Sequence, residues 1–388
     1  MKLEEMCTVF TDGDWIESKD QSDEGIRLIQ TGNIGEGTYL DKGTRAKYIS
    51  EDTFKKLKCT QVYSGDILVS RLPEPVGRAC IIPEKEESMI TAVDCTICRP
   101  DESIVSKEYL CYFMRSNAYY TRLLSGITGT TRKRISRKNL GNIELDIPSK
   151  KEQKKVVKQL DYLVKVVDLR KQELVALDNL IKARFVEMFG NIYNNRLGFD
   201  VVTLQDVSTM IKDGTHQTPT YTTDVENGYK FLSSKDVTTG KVDWSHLKYI
   251  PEKLHRELYT RISPRKGDIL LAKNGTTGIA AIVDRDEVFD IYVSLALIRP
   301  YGVDATYLWA AINAAETKQQ FDASLKGIGV PNLHLNEIKK ARIILPPIEL
   351  QNQFAAFVRQ VDKSKVAVKK ALDETQLLFD SLMQKYFG

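Results

Sequence analysis

A chain that repeats itself at an interval of roughly 200 residues is confined to architectures in which each copy folds its own core. Val186-Glu187-Met188-Phe189-Gly190 closes the first half of this sequence, and Met383-Gln384-Lys385-Tyr386-Phe387-Gly388 closes the second. Gly65-Asp66-Ile67-Leu68 returns as Gly267-Asp268-Ile269-Leu270, Arg99-Pro100 as Arg299-Pro300, and Asp12-Gly13 as Asp213-Gly214. Repeats of about 20 to 50 residues stack into solenoids, whereas a unit of this size is a domain. Two domains are therefore expected.

Neither Gly nor Pro occurs from Ser149 to Phe189 or from Ile348 to Phe387. Pro148 and Pro347 stand just before or at the first turn of each stretch, where a missing N–H costs nothing, and Gly190 and Gly388 stand where a helix would end. Each stretch is expected to form one helix, roughly 60 Å long at ~1.5 Å per residue. In the first, Val156, Leu160, Leu163, Val167, Leu174, Leu177 and Ile181 step by threes and fours. In the second, Phe354, Phe357, Val361, Val368, Leu378 and Leu382 do so, with Ser364, Ala371 and Thr375 filling the missing steps. Such a narrow seam suits lengthwise packing on another helix. A helix this long outreaches its own domain, so the two are expected to cover each other as an antiparallel pair that holds the domains apart. The blocks before them carry short β-rich runs between glycine turns, with helical stretches at Ser106–Leu124 and Asp304–Leu325. The expected fold class is α+β: two similar β-rich domains at 1–148 and 191–346, joined by spacer helices at 149–190 and 347–388 as an antiparallel coiled coil with pseudo-twofold symmetry.

Hydrophobic residues at 42% and charged residues at 28% are ordinary for a globular chain. The start Met1-Lys2-Leu3-Glu4-Glu5 lacks the basic and apolar segments of a secretory signal, and no apolar run reaches membrane-spanning length, so a cytoplasmic location without membrane contact is expected. All six cysteines lie in the first half. Cys95-Thr96-Ile97-Cys98 has metal-ligand spacing, but the twin stretch is Leu295-Ala296-Leu297-Ile298, which marks these positions as core. Four histidines, all in the second half, leave no duplicated zinc site or His-dependent catalytic centre. Asn274-Gly275-Thr276-Thr277-Gly278 lacks the lysine and spacing of a phosphate loop. Leu345-Pro346-Pro347-Ile348 lacks the Asn or Asp with which an amino-methyltransferase grips its target base. A non-catalytic chain without cofactor or metal is expected. A net charge of +4 excludes bulk polycation behaviour, leaving local patches to meet nucleic acid. One such patch stands out, because no acid occurs between Tyr109 and Asn142, where Arg115, Arg122, Arg132, Lys133, Arg134, Arg137 and Lys138 all fall.

Three marks carry a family resemblance. Asp213-Gly214-Thr215-His216-Gln217-Thr218-Pro219 lies near the start of the second unit. Gly129 through Leu140 runs into Ile147-Pro148-Ser149-Lys150-Lys151-Glu152-Gln153, and Gly327 through Ile338 runs into Leu345-Pro346-Pro347-Ile348-Glu349-Leu350-Gln351. In their doubled order, over the whole chain, these resemble the specificity subunits of type I restriction-modification systems. The resemblance implies two target recognition domains, each reading half of a split double-stranded DNA site, with a helix pair that sets the gap. It implies docking of two methyltransferase subunits, which would hold S-adenosylmethionine, and in some systems of endonuclease or translocase subunits. The alternatives are a self-contained DNA methyltransferase and a coiled-coil scaffold that binds proteins.

For a DNA reader, the basic run Arg132, Lys133, Arg134, Arg137 and Lys138 is the expected contact of the first domain, against a solvated loop as the plain reading. Lys326, Asn332 and His334 occupy the matching region of the second. Arg71 and Lys273, at equivalent places after the duplicated strand, are expected phosphate contacts, with an ordinary surface charge as the alternative. His216, Gln217 and Thr218 are expected to face DNA, with a plain turn as the alternative. Trp15 occupies the position equivalent to His216. Tyr109, Tyr112, Tyr119 and Tyr120 are expected to pack a helix rather than stack on bases.

Overall fold

The computed structural model describes residues 1–325 and 331–388. It falls into two compact units: Met1–Lys171 with Lys370–Gly388, and Gln172–Lys369. The first contains a four-stranded antiparallel sheet in the order Cys7–Asp12, Cys95–Pro100, Ile67–Ser70, Ala79–Ile81. The second contains the same sheet from Ser208–Asp213, Leu295–Pro300, Ile269–Ala272 and Ala280–Ile282. Every residue of Ile67–Ser70 and of Ile269–Ala272 is buried, as the unbroken apolar run requires.

The duplicated Gly-Asp and Arg-Pro motifs are partners. Asp66, only 2% exposed, accepts from Arg99 Nε and Nη2 at 2.8 Å each and from the Tyr63 N–H at 2.8 Å. Asp268 repeats this with Arg299 at 2.9 and 2.8 Å and the Arg265 N–H at 2.9 Å. A two-pronged guanidinium–carboxylate contact with its remaining lone pair filled is the geometry that makes a buried charge tolerable. Beside this sheet lies a second, in the order Lys47–Ile49, Ile26–Ile29, Met89–Thr91, Gln61–Val62, whose central pair is parallel. Its twin comprises Lys248–Ile250, Tyr229–Leu232 and Phe289–Ile291. Cys95 and Cys98 are fully buried in the first sheet, and all six cysteines are free thiols.

The helical stretches between sheet and spacer are broken in both units. Ser106–Leu124 resolves into Lys107–Phe113 and Asn117–Leu124, because Ser116 Oγ accepts from the Tyr119 N–H at 3.1 Å and caps a new helix. The counterpart resolves into Ala305–Ile312 and Ala315–Ala323. Tyr109, Tyr112 and Tyr119 are buried, packing against Phe113, Phe379 and Phe387 with ring centroids 5.1 to 6.4 Å apart.

The long helices are Lys150–Phe189 and Ile348–Phe387. A glutamine latches the start of each to its domain. Gln153, 1% exposed, accepts from the Ser106 N–H and donates to the carbonyls of Ile104 and Pro148. Gln351, also 1% exposed, accepts from the Asp304 N–H and donates to the Pro346 carbonyl. The division between units falls inside both helices, because each half-helix buries its seam in the unit to which it belongs. In the first unit Val156, Leu160 and Leu163 share a core with Phe379, Met383 and Phe387, and Arg170 donates to the Ala371 carbonyl and to Thr375 Oγ1. In the second, Ile181 and Phe189 share a core with Phe354, Val358 and Val361, and Lys365 pairs with Asp178. The half-helices run antiparallel in both. One part of the expected seam is corrected: Leu378 is exposed and Leu382 half-buried, while Phe379, Met383 and Phe387 face inward. The aromatic cluster around Tyr109 and Phe113 selects that neighbouring stripe. Among the described residues, no helix is long and apolar enough to cross a membrane.

Candidate nucleic-acid interface

In the first unit, the strand Ile67–Ser70 hands over to Arg71, which is 4% exposed. Its N–H donates to the Asp94 carbonyl at 2.9 Å, and its own carbonyl accepts from the Ile135 N–H at 3.2 Å. The guanidinium donates to the carbonyls of Val93 at 2.6 Å and Ile135 at 3.4 Å, and lies 3.2 Å from Asp12 Oδ2. Burial pulls this guanidinium below its ordinary value while Asp12 pushes it back up. Asp12 ends its strand at Gly13, where a Cβ would collide with the carbonyl oxygens of Thr91 and Ala92; only glycine fits this approach. Two residues on, Trp15 is 70% exposed. One buried cation thus gathers the turn at 12–15, the turn at 93–94 and the hairpin of Ile127–Thr128 with Arg134–Ile135.

The second unit repeats the arrangement with other side chains. Lys273, 5% exposed, donates its N–H to the Ser294 carbonyl at 2.9 Å and accepts from the Leu333 N–H at 2.8 Å. Its ammonium lies 2.8 Å from Asp213 Oδ2, and His216 Nε2 lies 3.1 Å from the same oxygen. Burial raises the Asp213 carboxyl, but the Lys273 hydrogen bond and charge, with His216, outweigh it and hold the group below its usual range. Gly214 is confined like Gly13, here by the Ile291 carbonyl. Equivalent backbone bonds, Ile135 to Arg71 and Leu333 to Lys273, bring Arg134 into correspondence with Asn332 and Ser136 with His334.

The model of the type I restriction modification DNA specificity domain matches residues 1–179 and again 197–375. The chain belongs to this family. It is 25% identical over 300 residues to the Escherichia coli type I restriction enzyme EcoBI specificity subunit, an alignment covering 69% of this chain and 63% of that one. It is 24% identical over 294 residues to the Methanocaldococcus jannaschii MjaVIII specificity subunit, covering 69% and 68%. Among solved structures, a chain from a study of complex assembly and conformational transition of the type I R-M system superposes with a TM-score of 0.62 at 17% identity, covering 100% of this chain and 96% of that one. The S subunit of a type I restriction-modification system from M. genitalium gives 0.53 at 13% identity, covering 100% and 95%. These likenesses agree in fold with the two units described above.

Within the two specificity domains, the expected contact residues separate into groups. Arg132, Lys133, Arg134, Arg137 and Lys138 are all exposed. Arg134 lies 3.3 Å from Asp94 and Arg137 4.0 Å from Asp12, whereas Arg132, Lys133 and Lys138 have no carboxylate within ion-pair distance among the described residues. The basic run does not extend further back: Arg115 lies over the Tyr112 and Phe379 rings, and Arg122 donates to the Glu144 carbonyl. His216, Gln217, Thr218 and His334 are exposed, and Asn332 is half-buried in a bridge to Asn274. Lys326 lies outside the described residues. The reading of Arg71 and Lys273 as phosphate contacts is corrected: both cations are buried and engaged within their own domains, so neither presents its charge to solvent. Their anchoring role was missed, as was that of Asp12 and Asp213. The signal available was the duplicated Asp-Gly itself, since an acid retained beside a sterically required glycine has a partner to meet.

Proposed function

We propose that this chain is the DNA-reading subunit of a type I restriction-modification assembly, each specificity domain reading one half of a bipartite site. The reading is carried by a single observation: the two domains build the same rim from an Asp paired to a buried cation, yet carry different side chains on it. Where the first offers Trp15, Arg134 and an unpaired basic tip, the second offers His216, Asn332 and His334. Lys and Arg contacts to phosphate set register and affinity without reading sequence, whereas Arg, Asn, Gln and Ser/Thr tell base edges apart in the major groove. A retained frame with changed letters is what two different half-sites require. On this reading the chain holds no cofactor, and S-adenosylmethionine belongs to methyltransferase subunits that it directs, with endonuclease subunits where a system has them, in the cytoplasm beside the DNA. The test is to co-express the chain with its methyltransferase partner and map adenine methylation. Two short sequences at a fixed gap are expected. Exchanging residues 1–148 for another reader should change one of them, and a change in both would refute the two-reader arrangement.

A further inference from the structure

We infer that Arg71 and Lys273 are positioning residues for half-site discrimination, each a buried cation that clamps its domain's Asp-Gly turn to the neighbouring reading loops. The inference rests on the DNA-reading function proposed above and adds to it which buried groups set the geometry of each reader.

The exposed candidates in each domain sit on separate loops, joined in the first by ion pairs of the exposed Arg134 with Asp94 and of the exposed Arg137 with Asp12, the kind that contributes little rigidity. Trp15 donates to Glu17 on its own loop, at 3.4 Å, and Arg132 and Lys133 sit at the tip of a two-residue-per-strand hairpin. Base readout tolerates errors well below an ångström, so something must fix these loops against one another. In the first domain Arg71 reaches all three loops, through Asp12, Val93 and Ile135. In the second, Lys273 reaches Asp213, and Asp213 in turn holds His216, so the buried ammonium orients an exposed ring through one carboxylate. The two clamps differ in reach. A guanidinium spans three partners with a rigid fork, whereas an ammonium is a point charge, and among the described residues it meets one side chain, Asp213. The hairpin of the first domain is therefore tied by side chain and backbone, whereas among the described residues the matching segment of the second is tied through backbone, by Leu333 to Lys273, Gly275 to Pro331 and the Asn274–Asn332 bridge.

Each domain also supplies the conservative replacement for the other. In the assembled methyltransferase complex, Arg71→Met should relax discrimination against single mismatches in the first half-site by about tenfold, the scale of one base-pair contact, with the second half-site unchanged. Arg71→Lys keeps the Asp12 pair but loses the carbonyl contacts, and should relax the same half-site by a smaller factor. Lys273→Met should relax the second half-site alone, and Lys273→Arg should preserve it. The readout is the methylated fraction at matched and mismatched sites, which a merely structural role would lower uniformly. Uniform loss with discrimination intact, or relaxation spread over both halves, overturns the inference. Should Arg71→Met fail to fold, Arg71→Lys against wild type decides in the same terms. A wild-type complex with no bipartite motif would instead remove the proposed function, whereas a wild-type motif that all four variants retain removes the positioning role alone.

Discussion

At the scale of single residues, the duplication exposes a buried pair that only the second unit carries. Phe231 faces Asp290 across a parallel ladder where, in the first unit, Leu28 faces Ile90. His255 stands on the following helix where the first unit has Phe54. His255 Nδ1 lies 2.7 Å from Asp290 Oδ2, and its ring stacks on Tyr229 with centroids 3.7 Å apart. Asp290 is 2% exposed, and its Oδ1 has no hydrogen-bond partner among the described residues. Burial pushes its carboxyl up to about 6, with the His255 contact acting in the opposite direction. Because the folded pKa lies above the ordinary 3.8, this group favours the folded state fully below pH 3.8 and loses that contribution as pH rises through about 6. Installing the first unit's own pair, His255→Phe with Asp290→Ile, should stabilise by about 1–4 kcal/mol near neutral pH and flatten the fall in stability between pH 4 and 6. His255→Phe alone should destabilise by about 3–5 kcal/mol, since it strands a buried carboxylate. Urea midpoints measured across that range check both, and a pH slope that survives the double substitution would assign it to another group.

At the scale of elements, the spacer helices begin correctly because a side chain completes what the backbone cannot. The first turn of any helix leaves N–H groups unsatisfied, and the chain before it leaves carbonyls; Gln153 and Gln351 meet such groups from inside the joint. Gln153→Leu is isosteric enough to fill the space but orphans the Ser106 N–H and the carbonyls of Ile104 and Pro148. A loss of about 2–4 kcal/mol is expected, with Gln351→Leu acting in the same direction, and a loss below about 0.5 kcal/mol would show that water replaces the amide. The helices themselves were legible from Pro148, Pro347, Gly190 and Gly388, because their start and stop rules are local. The inward face of the second helix near its end was not. Leu377, Leu378, Phe379, Leu382, Met383, Tyr386 and Phe387 offer more than one stripe, and partners distant in sequence choose between them. Arg71 and Lys273 were misread for a related reason. A cation following a strand looks alike whether its head meets water or a carboxylate, and the deciding Asp213 lies 60 residues before Lys273. Exposure of the basic run from Arg132 to Lys138 could be read because an acid-free segment needs no such distant information.

At the scale of the whole molecule, each long helix begins in one compact unit and ends in the other, which makes helix length a variable separable from what either unit recognises. Among the described residues neither rim draws a side chain from the spacer helices: Asp12, Arg71, Val93 and Ile135, and likewise Asp213, Lys273, Ser294 and Leu333, all come from the strand-rich blocks. If the helices set the distance between the half-sites, lengthening both should move the half-sites apart without changing either. Seven residues are the suitable insertion, close to two full turns, so that the apolar seam resumes on nearly the same face. Placed after Lys171 and after Lys369, at the division between units, they would add ~10 Å to each helix at ~1.5 Å per residue, about three base pairs at ~3.4 Å per step. Methylation mapping of the lengthened protein should return both half-site sequences intact with a gap longer by about that number. Four-residue insertions rotate the seam by about 40° from two registers of packing and should cost assembly before they alter spacing, which separates a ruler from a mere tether. Were the gap to stay fixed while methylation persisted, the spacing would have to be set by the partner subunits rather than by this chain.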